Sequence, residues 1–245
     1  VIVTVTPLII AAAIPGIAPW VVDRVTDIAD DEPLTARSEA YPTLVPGGYF
    51  ATGSIITEPD GDLARQSIVE SGAQMRTSGH KIVLTSRRAA QLDIEGIVAV
   101  VEKREAPLSG TAHIVDPQGS ADTALIDFSL DTPGKEIPAF VPADAADPGK
   151  PSTPYLANGK IRYVEQGKQE HLMIRATTKT CHCQWRVRIT YSYRGARKDI
   201  TVPPVTEKPF ATTAWGPHKV QYVTDGMVRV HRHDCVAQPS ACRTG

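Results

Sequence analysis

The stretch Cys181–Tyr193 reads CHCQWRVRITYSY. Its odd positions hold Cys181, Cys183, Trp185, Val187, Ile189, Tyr191 and Tyr193, and its even positions hold His182, Gln184, Arg186, Arg188, Thr190 and Ser192. Successive side chains of a strand point to opposite faces, so the odd set enters a core and the even set faces away. Burying Trp185 and Ile189 contributes several kcal/mol at about 25 cal/mol per Å² of apolar surface. A slip of one residue would bury Arg186 and Arg188 instead, so the register is firmly set.

The same period of two recurs on both sides of this strand. His80 to Arg87 places Ile82 and Leu84 on one face. Leu92 to Glu105 carries Leu92, Ile94, Val98 and Val100 on one face, and Ile97, Ala99 and Val101 on the other. Its second half therefore reads as a central strand covered on both sides, and Gly96 at the changeover marks a bulge. Thr111 to Val115 is a short strand, and Ile126, Phe128 and Leu130 share a side. Lys160 to Val164, Glu170 to Thr177 and Lys198 to Val202 extend the series, with Gln166-Gly167 and Arg194-Gly195 as turns. Val220 to Tyr222 and Met227 to His231 form a hairpin about Asp225-Gly226, a strong two-residue turn signal. About nine short strands at this spacing predict an immunoglobulin-like antiparallel β-sandwich over residues 76–235. Residues 131–159 hold six prolines and read as a loop crossing between sheets rather than a linker between domains.

Residues 47–75 read as an adaptor with one short helix, capped by the Asp62 carboxylate, running to about Glu70 and ended by Gly72. Residues 23–46 are acidic and aperiodic and read as a tether. Residues 236–245 are a C-terminal tail.

Residues 1–22, VIVTVTPLIIAAAIPGIAPWVV, carry no charge. About twenty apolar residues span a bilayer as a helix, and prolines such as Pro7, Pro15 and Pro19 are tolerated there. The favoured reading is an N-terminal transmembrane helix in the lipid bilayer, cut or processed at its start because Val1 is not Met. The apolar part of a signal peptide and a buried soluble segment are the alternatives. The downstream acids Asp23, Asp27, Asp30, Asp31 and Glu32, without a basic excess, favour an exterior location for the chain beyond residue 22.

The chain has 245 residues, 20 Pro, 18 Gly and a formal charge of −1. Near-neutral charge gives no drive toward nucleic acid, and this much Pro and Gly argues against a mainly helical protein. A nucleophile elbow, a phosphate-binding loop, a dinucleotide turn and an H-E-x-x-H motif are all missing from the sequence. Asp60, Asp62, Asp127 and Asp131 are scattered and read as turn or surface positions. No cofactor is implied.

Three stretches carry a resemblance: KREAPLSGT (Lys103 to Thr111), IDFSLD (Ile126 to Asp131) and CHCQW (Cys181 to Trp185). Over residues 60 to 235 the chain resembles a group of uncharacterised membrane-anchored proteins of high-GC Gram-positive bacteria. The resemblance implies a cell-envelope location and brings no activity with it.

Four cysteines, Cys181, Cys183, Cys235 and Cys242, in an exterior domain suggest two disulfides. A Cys181–Cys183 bond is disfavoured, because side chains two apart on an extended strand sit near the limit of the allowed Cα separation. Both are therefore expected to reach the C-terminal segment. The sharper alternative is a zinc site of Cys181, Cys183, Cys235 and His233, the basis of a second functional alternative, a zinc-dependent hydrolase. Arg186, Arg188, Arg175 and Lys179 form a candidate positive stripe that would hold an anionic cell-wall polymer. The leading expectation is a non-catalytic binding or structural module of the envelope, contacting such a polymer or another envelope protein. The first alternative is the exterior sensor domain of a single-pass signalling or transcription-regulating protein.

Overall fold

The computed structural model describes residues 33–40, 48–87, 91–115, 126–142, 153–157, 162–225 and 229–244. The apolar run 1–22 and its predicted transmembrane helix lie outside these residues. Among the described residues no helix is long and apolar enough to cross a membrane.

Among the described residues the chain is mainly β with one α-helix. A narrow sheet of four strands has the order β1 (Leu34–Ala40), β4 (Thr77–Ser86), β10 (Gln169–Thr177), β7 (Ile126–Ser129). A wide sheet of eleven strands runs β15 (Arg229–Asp234), β14 (Val220–Asp225), β6 (Thr111–Val115), β2 (Gly48–Thr52), β3 (Ala73–Met75), β13 (Phe210–Thr213), β11 (His182–Tyr193), β5 (Leu92–Glu105), β8 (Glu136–Pro138). In it β12 (Ala196–Val202) also pairs with β11, and β9 (Arg162–Val164) with β5. Helix α1 spans Gly61–Ser71.

The decisive strand behaves as its alternation requires. Cys183, Trp185, Val187 and Ile189 are fully buried, in one cluster with Ile82, Leu84, Phe128 and Ile174 of the narrow sheet. The two sheets thus face each other over a shared core, the arrangement that hides one apolar face of each. Strand β5 occupies the predicted Leu92–Glu105. Its buried face changes from Leu92 and Ile94 to Ile97, Ala99 and Val101, and its pairing with β11 slips between Thr190 and Tyr191, opposite Gly96 and Ile94. The bulge falls where Gly96 marks it. Arg194 and Gly195, both at positive φ, make the two-residue turn from β11 to β12, the conformation whose twist suits a tight hairpin.

Five expectations need correction. The pairing is not wholly antiparallel: β10–β7, β13–β3 and β14–β6 are parallel. The antiparallel immunoglobulin arrangement therefore does not describe the sheets, although the mainly-β class stands. Parallel neighbours arise between strands far apart in the chain, so local periodicity carries no sign of them.

The acidic tether is not all tether. Residues 34–40 are β1, paired along their length with β4, and Leu34 is fully buried.

The adaptor is not separate either, because β2 and β3 lie inside the wide sheet. Its helix is capped by Asp60 rather than Asp62; the Asp60 carboxylate accepts from the backbone N–H groups of Asp62 and Leu63. An N-cap residue serves the donors two and three positions on, so Asp62 already stands in the first turn. Gly72 follows the helix where a side chain would collide with the carbonyl oxygens of Ala51 and Ile68, so the helix leaves directly against β2.

Finally, the proline-rich segment contributes strand β8, with Ile137 fully buried.

Candidate functional site

The wide sheet exceeds what the narrow sheet covers, and α1 covers part of the remainder. Ala64 and Ile68 of α1 pack on Val220 and Tyr222 of β14, with Phe50 and Val230 alongside. Between this helix and the narrow sheet runs a groove of about 1010 Å³. Phe50 of β2 stands directly across from His113 of β6 and Gln74 of β3, and all three line the groove together with Phe210 and His80.

The polar groups here are few. His113 is buried, with Nε2 3.0 Å from Thr224 Oγ1. Burial lowers its pKa to about 4; the Arg65 guanidinium adds to this and the Asp62 carboxylate opposes it. Asp62 and Arg65 sit on α1 at the groove rim. His80 lies deeper, 8% exposed, and burial pushes its pKa down to about 3. Its ring stacks on Phe210 at 4.0 Å between centroids and meets Trp185 edge-on at 5.4 Å. Neither ring nitrogen has a hydrogen-bond partner among the described residues. A buried polar group without a partner is uncommon and costly, so it calls for a physical reason.

The basic stripe does not assemble. Arg175 belongs to β10 of the narrow sheet, where Asp127 takes its guanidinium in two bonds of 2.8 and 2.6 Å. Arg186 and Arg188 share a face of β11 in the wide sheet, but Arg186 is 5% exposed. Its Nε donates to Glu102 at 2.7 Å, and its other nitrogens donate to the carbonyl oxygens of Pro203, Pro204 and Glu207. Glu102 is the residue left over where β5 slips against β11 between Gln184 and Trp185, which brings its carboxylate within reach. Arg188 pairs with Glu136 at 2.7 Å. The backbone N–H of Lys179 donates to Asp131. Three of the four cations are therefore neutralised or capped within the fold. Alternation gave the face of Arg186 correctly; the 203–207 loop then covers that face.

The acids also have structural tasks. Asp131 accepts from the hydroxyls of Thr178 and Thr180 and from the N–H groups of Lys179 and Thr180, fixing the turn that leads into Cys181. Burial raises its pKa, but these hydrogen bonds prevail and hold it below the usual value.

The cysteines pair as Cys181–Cys183 and Cys235–Cys242, each with a Cα separation of 5.6 Å. This overturns the expectation that the first two reach the C-terminal segment. Cys181 lies just outside β11, so the backbone there is not held fully extended and the separation falls inside the disulfide range. The second pair closes the tail on the end of β15, and the Gln221 side chain bonds the backbone of Arg243 twice at 2.9 Å. With all four sulfurs bonded, the zinc set of Cys181, Cys183, Cys235 and His233 does not come together. Among the described residues no group of three or more His, Cys, Asp or Glu is placed to hold a metal.

His80 and His113 escaped the sequence reading. One signal was present for each: His80 shares the face of Ile82 and Leu84, and His113 interrupts an otherwise apolar strand. No family model matches this chain, and neither a curated protein nor a solved structure does.

Proposed function

We propose that the chain is a binding or structural module of the cell envelope, held outside the cytoplasm and tethered through its N-terminal apolar run. The observation that carries this reading is the pairing of all four cysteines in two disulfides. Disulfides persist in oxidising compartments and are rare where thiols are kept reduced. The apolar run and the resemblance to envelope proteins support the same location. The test is protease added to intact cells of a high-GC Gram-positive host, with free thiols alkylated before lysis. Loss of the β domain together with no alkylated cysteine is expected; a protected domain with labelled thiols would overturn the reading.

A second reading, an exterior sensor domain, is favoured by the groove, since a sensor needs a concave site and a purely spacing module does not.

A further inference from the structure

The groove between α1 and the narrow sheet has the make-up of a small-molecule site: apolar and aromatic walls with a few convergent polar groups. Three properties narrow what fits.

Its inner end carries no net charge. His80 is neutral at physiological pH, and the charged residues that line the groove, Asp60, Asp62 and Arg65, are all exposed at its α1 rim. Asp62 and Arg65 at the rim are of opposite sign. A charged group pushed to the inner end would lose its hydration with no counter-charge to replace it.

Its walls are ring-rich, with Phe50, Phe210 and His80 all lining it. Flat rings gain from offset and edge-on contact with such walls.

Among the described residues, its one buried polar side chain without a hydrogen-bond partner is the His80 imidazole. A neutral imidazole has one acceptor nitrogen and one N–H; both are buried away from the groove and without a partner among the described residues. Turning this ring by half a revolution about its Cβ–Cγ bond keeps its outline and its contacts with Phe210 and Trp185, while exchanging the edge shown to the groove.

We propose that this groove binds a small, flat, uncharged aromatic molecule bearing a hydroxyl, a phenol-like ligand whose O–H donates to His80 while its ring packs between Phe50 and Phe210. Such binding requires nothing of the compartment in which the chain resides.

Three probes on one ethyl-substituted ring separate the contributions: 4-ethylphenol, ethylbenzene and 4-ethylbenzoate. Each is titrated into the whole chain, following the backbone amides of Ala73, Gln74 and Ala211 by NMR. Saturable shifts with 4-ethylphenol are expected, with ethylbenzene bound about threefold to tenfold more weakly, the equivalent of one net hydrogen bond, and 4-ethylbenzoate weaker still. His80→Phe keeps a ring in place and removes both nitrogens. It should bring the affinities of 4-ethylphenol and ethylbenzene together. Val69→Trp, at a position 43% exposed on the groove-facing side of α1, fills the space without touching the core and should weaken both probes at least tenfold. Equal affinity of the wild-type chain for 4-ethylphenol and ethylbenzene would overturn the proposal. So would shifts of these amides that fail to saturate, or tightest binding of the benzoate.

Discussion

The indole Nε1 of Trp185 donates to Thr212 Oγ1 at 3.0 Å, and that oxygen lies 2.6 Å from Ser78 Oγ. All three side chains are fully buried, so one hydroxyl satisfies polar groups from both sheets. Thr212→Val should leave two buried groups unpartnered and cost about 2 to 4 kcal/mol in urea unfolding. Adding Ser78→Ala should recover part of that loss, because the second orphan is removed. A fully additive double variant would show that the two hydroxyls do not share this bond.

Arg186 and Arg188 are two residues apart on one strand face, yet they should respond differently to substitution. Arg186→Met removes the partner of Glu102 and of three carbonyl oxygens and should destabilise by about 3 kcal/mol or more. Arg188→Met breaks a more exposed pair with Glu136 and should cost less than about 1 kcal/mol. Arg186→Lys should not restore stability, since an ammonium group cannot satisfy several acceptors spread around a planar fork. Comparable losses at both positions would contradict the burial of Arg186.

Acid should unfold the protein through its histidines. His80, His113 and His218 all have pKa values lowered by burial, to about 3, 4 and 4. Their unfolded forms take up protons near pH 6.5, so their contribution is complete above that pH and is lost as pH falls toward the folded values. Each histidine still neutral in the folded state steepens the loss by about 1.4 kcal/mol per pH unit. Urea midpoints should therefore be flat above pH 7 and fall steeply between 6.5 and 4. His80→Phe should make that slope shallower by about one proton. An unchanged slope would mean that His80 is not held neutral by the fold.

The disulfide pattern has a simple readout. A tryptic digest without reductant should contain Thr180–Arg186 and His233–Arg243 as separate peptides, each lighter than its reduced form by two hydrogens. A single cross-linked species joining the two would restore the long-range pairing that spacing suggested. Cys235→Ser with Cys242→Ser should cost about 2 kcal/mol in the loop-entropy picture, unless contacts such as the Gln221–Arg243 pair of bonds retain the tail.

What the sequence revealed is what local patterning encodes. The full length of β5, the bulge at Gly96, the turn at Arg194-Gly195 and the buried face of β11 each follow from neighbours a few residues apart. What it hid depends on distant chain. Strand β1 has a weak pattern because, as an edge strand, it buries little beyond Leu34. The covering of Arg186 needs the 203–207 loop folded over it. The groove is hidden for a related reason: His80, His113 and Arg65 sit on three separate elements, and no spacing rule connects them.

The order β6-β2-β3-β13 changes how the chain can be divided. Residues 48–75 are the keystone of the broad arch, not a preface to it. Excising them would leave β6 and β13 facing each other across about 14 Å, three strand spacings, each with a raw ladder edge and nothing to bridge them. A shortened protein starting at residue 76 would retain most of the residues that look structured and lose the piece that makes them a single body.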